Sequence, residues 1–153
     1  MRKLPWLYLG LIFAFTGLSA ASTAIVTITF IVQSVRDITF SGNPGTFTVS
    51  PGGAPAVDTS TTYSVVTNES NQRIFAALNT NMPTGLTLQV NLQAPTGATS
   101  AGAQTLSTTS VDLVTGISNA NQTGLTVSYS LAATVAAATA PSATRTLTYT
   151  IGD

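Results

Sequence analysis

Three stretches of the chain alternate residue by residue between apolar side chains and Thr, Ser, Asn or Gln. Leu86, Leu88, Val90 and Leu92 alternate with Thr87, Gln89 and Asn91. Leu125, Val127, Tyr129 and Leu131 alternate with Thr126, Ser128 and Ser130. Leu147, Tyr149 and Ile151 alternate with Thr146, Thr148 and Thr150. A period of two puts every apolar side chain on one face of an extended strand, so each stretch reads as a half-buried strand. Shorter pieces follow the same rule at Ile38 and Phe40, at Phe47 and Val49, and from Tyr63 and Val65. The last of these is expected to form a hairpin through residues 68–71 into a strand over 74–78. Turn residues separate the runs: Gly42-Asn43-Pro44-Gly45, Pro51-Gly52-Gly53, Met82-Pro83-Thr84-Gly85, Ala94-Pro95-Thr96-Gly97 and Ala140-Pro141-Ser142. Residues 111–116 suit one helical turn capped by Ser110.

The expected architecture is all-β: one Ig-like or jelly-roll-type β-sandwich of about 7–8 short antiparallel strands. The immunoglobulin Cys…Trp…Cys pattern is absent, so the expectation concerns architecture alone. No long internal repeat is visible.

Composition limits the chemistry. The 153 residues include no Cys and no His. Zinc fingers, haem and iron–sulfur ligation, Ser-His-Asp triads and Cys-His dyads are therefore excluded. No disulfide can form. Five basic residues balance five acidic ones, and charged residues make up only 7% of the chain. A scattered, neutral charge set argues against nucleic acid. The acidic residues form no pair or calcium loop, and Asp58 and Asp112 could meet only through the fold. Arg36 and Asp37 read as a local surface pair. The chain is expected to be no enzyme, with no metal site and no cofactor.

The beginning of the sequence has three parts. Arg2 and Lys3 are basic, residues 4–15 are nearly all apolar, and Ser19-Ala20-Ala21 offers small residues for cleavage after Ala21. This is the pattern of a secretory signal peptide, residues 1–21. The rest divides into an N-terminal strand over 22–35 and a domain over 36–153. A retained helix is the competing reading, because residues 4–35 carry no charge and about 20 apolar residues span a bilayer. With the leader removed, Arg36, Arg73 and Arg145 face Asp37, Asp58, Glu69, Asp112 and Asp153, and no Lys remains. Isopeptide cross-links through Lys are then impossible. A surface with so little charge suits either close packing of copies or cover by sugars. Asn68-Glu69-Ser70 and Asn121-Gln122-Thr123 match the N-glycosylation pattern, making Asn68 and Asn121 candidate acceptors.

Val26, Ile28, Phe30 and Val32 form a complete apolar stripe directly after the expected cleavage site. A strand at a chain end can leave its own domain and complete the sheet of a neighbour, which is β-strand addition. Repeated head to tail, the contact need not close and yields a filament. The same stripe could equally be the first strand of its own sandwich, because pairing within the chain and between chains bury the same face.

The signal followed by Ala24-Ile25-Val26-Thr27-Ile28-Thr29-Phe30, the Thr-rich strands and the closing Thr144-Arg145-Thr146-Leu147-Thr148-Tyr149-Thr150-Ile151 give the chain a general resemblance. It resembles secreted β-sandwich subunits of bacterial and archaeal filaments that polymerise by donor-strand complementation. These include chaperone–usher pilins, archaeal threads and bundling pili, and biofilm fibre proteins. The resemblance implies a secreted, cell-surface homopolymer whose partner is itself, with other surface proteins or glycans as further partners. It implies Val26, Ile28, Phe30 and Val32 as the donated residues, and membrane contact through the signal segment alone. Two other readings stay open: a monomeric surface adhesion or binding module, and an archaeal type IV pilin that keeps its N-terminal helix.

Overall fold

The computed structural model describes residues 22–139 and 142–153. The expected signal peptide and the Ala140-Pro141 turn lie outside these residues. Among the described residues there is no helix, and ten strands form. They are β1 Arg36–Phe40, β2 Ala56–Asp58, β3 Thr62–Thr67, β4 Gln72–Leu78, β5 Leu86–Leu92, β6 Thr99–Ser100, β7 Gln104–Thr105, β8 Val111–Ile117, β9 Asn121–Ala133 and β10 Leu147–Gly152. Seven of them have five residues or more, in line with the number the alternation signals. β2, β6 and β7 are too short to show a period. The chain divides between Ile31 and Val32, with 22–31 in one unit and Val32–Asp153 in another.

All pairings are antiparallel, in two sheets. The first has the order β1-β3-β9-β5-β7, with β2 also on β9; the second has the order β10-β4-β8-β6. β9 is 13 residues long and is the spine of the first sheet. Its first half pairs with β3, and its second half pairs with β5 on one side and β2 on the other. Inward side chains of both sheets form one core, including Tyr63, Val65, Ile74, Val90, Leu113 and Val127. The expected alternation shows in burial over 90–92 of β5, 125–129 of β9 and 147–151 of β10, whereas 86–89 and 130–132 are half-buried on both faces.

Three local expectations are corrected. β3 and β4 do not form a hairpin, because β3 pairs with β1 and β9 whereas β4 pairs with β8 and β10. The 68–71 link is an arch that carries the chain from one sheet to the other. Its hydrogen bonds go to the neighbouring 118–120 link: Thr67 N–H to Ala120 O, Asn119 N–H to Glu69 O, and Asn71 N–H to Ser118 Oγ. Asn71 takes the left-handed conformation, φ 57°, which Asn tolerates better than most residues.

Residues 111–116 are not a helical turn but most of β8. Register shifts against β4 let the adjacent Leu113 and Val114 both be fully buried. Such a bulge breaks the period of two, which is why the sequence does not read as a strand there. Finally, Phe47 and Val49 lie on no strand. No turn forms over 42–45, and the segment runs on irregularly beyond β1.

Candidate functional site

Two features of this molecule are apolar and open to solvent. The first is the segment over 22–35. It was expected to be a strand, yet among the described residues no strand or sheet pairing includes it. Its stripe is almost fully exposed: Val26 82%, Ile28 80%, Phe30 82% and Val32 76%. Ile25 and Ile31, on the other face, are equally exposed. Burying an aromatic or branched aliphatic side chain is worth about 1.5–3 kcal/mol, so this segment leaves a large gain unrealised within one chain.

The second feature lies within Val32–Asp153. β9, 13 residues long, outruns the 7-residue β4, whose last residue, Leu78, borders the extension. Along the covered part, Val90, Leu92 and Val127 are fully buried. Along the extension, the same inward faces carry Leu86, Leu88 and Leu131, which are only half-buried. They floor a groove of about 1040 Å³. Phe40, Phe47, and Leu147 and Tyr149 of β10 also line it. Among the described residues no strand runs between the 42–49 segment and β10.

The groove has a closed end and an open end. At the closed end β1 and β10 meet. The Phe40 and Tyr149 rings stack with centroids 4.3 Å apart, and Tyr149 Oη donates to Tyr129 Oη at 2.9 Å. Burial pushes both tyrosines above their ordinary pKa of 10, so both hydroxyls stay protonated at neutral pH. Beyond them Arg36 reaches Asp153 at 3.2 Å. The open end is walled by Met82, Pro83 and residues 137–139 and 142–146. Gly85 fixes that wall. Its φ is +82°, and a Cβ there would lie 2.5 Å from Ala137 N. Asp58 holds the 42–49 lip, accepting from Gly45 N–H at 3.1 Å and from Ser60 N–H and Oγ at 2.9 and 2.7 Å. These bonds, the Ser60 hydroxyl first, hold the Asp58 carboxyl below its ordinary value.

The segment leaves the domain at the Arg36 end of β1, beside the 68–71 and 118–120 links. The groove begins at Phe40 and runs the other way. Arg36 does not pair with Asp37, as the sequence implied, but with Glu69 and Asp153. Asp58 and Asp112 do not share a partner either, since Asp112 pairs with Arg73 at 3.0 Å.

Asn68 and Asn121 are both exposed; Asn68 lies in a link, and Asn121 begins β9 rather than lying in a loop. Among the described residues no group of His, Cys, Asp and Glu could hold a metal ion, and no helix is long and apolar enough to cross a membrane. Sequence reading identified the stripe but not the groove. Leu88, Leu131 and Leu147 look identical in sequence to residues of a fully covered core. No protein family matches the chain, and no curated protein or solved structure matches it.

Proposed function

We propose that this chain is the structural subunit of a non-covalent, pilus-like extracellular filament. The stripe of one copy inserts into the groove of the next and completes an Ig-like β-sandwich. The observation that carries this reading is that one molecule exposes a four-residue apolar stripe and also a groove of about 1040 Å³ floored by Leu86, Leu88 and Leu131. A segment of 11 extended residues spans about 36 Å, enough to leave one domain and line the groove of another. The stripe then buries Val26, Ile28, Phe30 and Val32, and the other face, with Thr27 and Thr29, meets solvent. Export through the signal peptide delivers the subunit to the cell surface, where filaments of this kind serve adhesion or biofilm formation. Asn121 is the candidate sugar acceptor there, because a sugar on Asn68 would displace the bond from its Nδ2 to Gln33 O.

Register arithmetic favours a neighbour over the chain's own groove. If the segment reversed at 33–35 and paired with β1, Val32 would face Arg36, Phe30 would face Ile38 and Ile28 would face Phe40. Those positions lie along the closed end, where β10 already covers the core. Only Val26 would reach the 42–49 lip. Insertion into a second copy is free of that register and can place the whole stripe over Leu88 and Leu131. Because the segment leaves at one end of the domain and the groove opens toward the other, successive copies add head to tail. The absence of Cys, and of Lys after leader removal, leaves apolar burial and strand hydrogen bonds to hold the polymer.

The test is Phe30→Asp in the native host. Export should continue and filaments should vanish from negatively stained cell surfaces. Normal filaments from this variant would refute strand insertion. Dispersed monomers from the unaltered protein at high concentration would point to a monomeric surface module.

A further inference from the structure

The segment must be kept from folding back on its own domain, and its root is held by an unusual contact. Asn68 Oδ1 accepts from Val35 N–H at 2.8 Å, and Asn68 Nδ2 donates to Gln33 O at 2.8 Å. Those two backbone groups flank Ser34 on one side of an extended chain. The side-chain amide of Asn68 thus supplies a donor and an acceptor together, as a paired strand would, just past the last rung of the ladder at Arg36 and Thr67. The next residue of the same link adds a charge: Glu69 pairs with Arg36, which Asp153 also engages. The sequence here favours reversal only weakly, Ser34 being its one turn-prone residue. Gln33-Ser34-Val35 has no Gly, Pro, Asn or Asp, the residues on which tight turns depend.

We infer that Asn68 is a positioning residue for assembly: it clamps residues 33–35 in extended form, so that the stripe is offered to a second copy and not to its own domain. A chain that reverses at 33–35 turns the Gln33 carbonyl and the Val35 N–H away from a common side, and so must break both bonds. The clamp does not touch the stripe or the groove. It acts on the choice between self-pairing and assembly. This inference rests on the filament reading above.

The test uses the absence of native Cys. In a hairpin reversing at 33–35, residues 29 and 39 face each other. Thr29→Cys with Thr39→Cys therefore reports self-pairing as an intrachain disulfide under mild oxidation. The pair is placed in the full chain with Asn68 intact and with Asn68→Ala. Filaments are counted by electron microscopy under reducing conditions. With Asn68 intact, filaments should form and the bridge should be rare. Asn68→Ala should raise the bridged fraction and lower filament yield by about fivefold or more, the scale of losing two neutral hydrogen bonds. Asn68→Asp keeps the acceptor for Val35 N–H, loses the donor to Gln33 O, and should fall between. It also serves if Asn68→Ala no longer melts cooperatively. Unchanged bridging and filament yield in folded Asn68→Ala and Asn68→Asp would overturn the clamp while leaving strand insertion standing. No filaments with Asn68 intact would overturn strand insertion, and the clamp with it.

Discussion

The inward face of the first sheet has two halves built from the same chemistry. Val90, Leu92 and Val127 in one half are fully buried, and Leu86, Leu88 and Leu131 in the other are half-open. Both halves come from the same two strands, β5 and β9, and both have a hydroxyl-rich outer face. The difference is the cover. Over the first half lie β4 and β8, which contribute Ile74, Leu113 and Val114. Beside the second stand only the irregular 42–49 segment and the edge strand β10. Alternation in a strand therefore specifies which face is apolar, and a second element decides whether that face is dry. Residues 22–32 carry an apolar strand's worth of side chains, and these are exposed.

This contrast has a direct mutational consequence. Leu92→Ala removes a fully buried side chain from a close-packed region. It should cost about 2–5 kcal/mol and lower Tm on the order of 10 °C, in monomer and polymer alike. Leu88→Ala removes a half-buried side chain, and the monomer should lose only about 1 kcal/mol. In the filament the same substitution removes a contact with the inserted stripe, so filament stability should fall more steeply than monomer stability. Thermal melts of both variants, each with and without Phe30→Asp to block assembly, check this. Equal losses for Leu88→Ala in the two states would mean that the stripe does not cover this half.

The tyrosines sharpen the comparison with less disturbance. Tyr63 belongs to the dry half; Tyr129 and Tyr149 stand at the closed end of the groove. Burial raises all three above the ordinary value of 10. A raised pKa means that the folded state holds the proton more tightly. The stabilisation is then complete below pH 10 and declines as pH rises beyond it. None of the three should titrate near pH 10 in the folded protein, and tyrosinate absorbance should rise with unfolding. Assembly should push Tyr129 and Tyr149 further up and leave Tyr63 unchanged. Ultraviolet titration of the polymer against the Phe30→Asp monomer, with Tyr149→Phe to assign the signal, would show whether the groove half alone responds.

What the sequence reveals and what it hides follow from the range of each interaction. The strands β5, β9 and β10 are legible because their period is local and unbroken. β8 is hidden by a bulge that exists only in its pairing with β4. The arch at 68–71 looks like a hairpin turn, because Asn68 to Asn71 are turn residues in either case. Its partner, the 118–120 link, is about fifty residues away. The stripe is legible as four alternating apolar residues. The groove is not, since it arises from the mismatch in length between β9 and β4, which no single segment encodes. Asn68 drew notice as a sugar acceptor, whereas its contacts with Gln33 and Val35 depend on the register of β1 against β3.

Asp58 offers the smallest effect, confined to the open half. Its carboxylate ties the 42–49 lip to β2 through Gly45 N–H, and its pKa is held below the ordinary 3.8 chiefly by the Ser60 hydroxyl. For a depressed carboxylate the stabilisation is present above the unfolded value and is lost as pH falls through the folded one. The tie should thus be intact at neutral pH and persist down to about the ordinary carboxylate value, then fail below it. The dry half contains no acidic residue among its fully buried side chains, so it should keep its cooperative melt over the same interval. Acid should therefore loosen the lip first, seen as faster proteolysis within 42–49 and slow shortening of filaments while the domain stays folded. Asp58→Asn should lose the acid step and show a small lag in assembly at neutral pH. If acid instead unfolds both halves together, the lip is coupled to the core more tightly than one carboxylate and three hydrogen bonds explain. The open half would then be as rigid before insertion as after it.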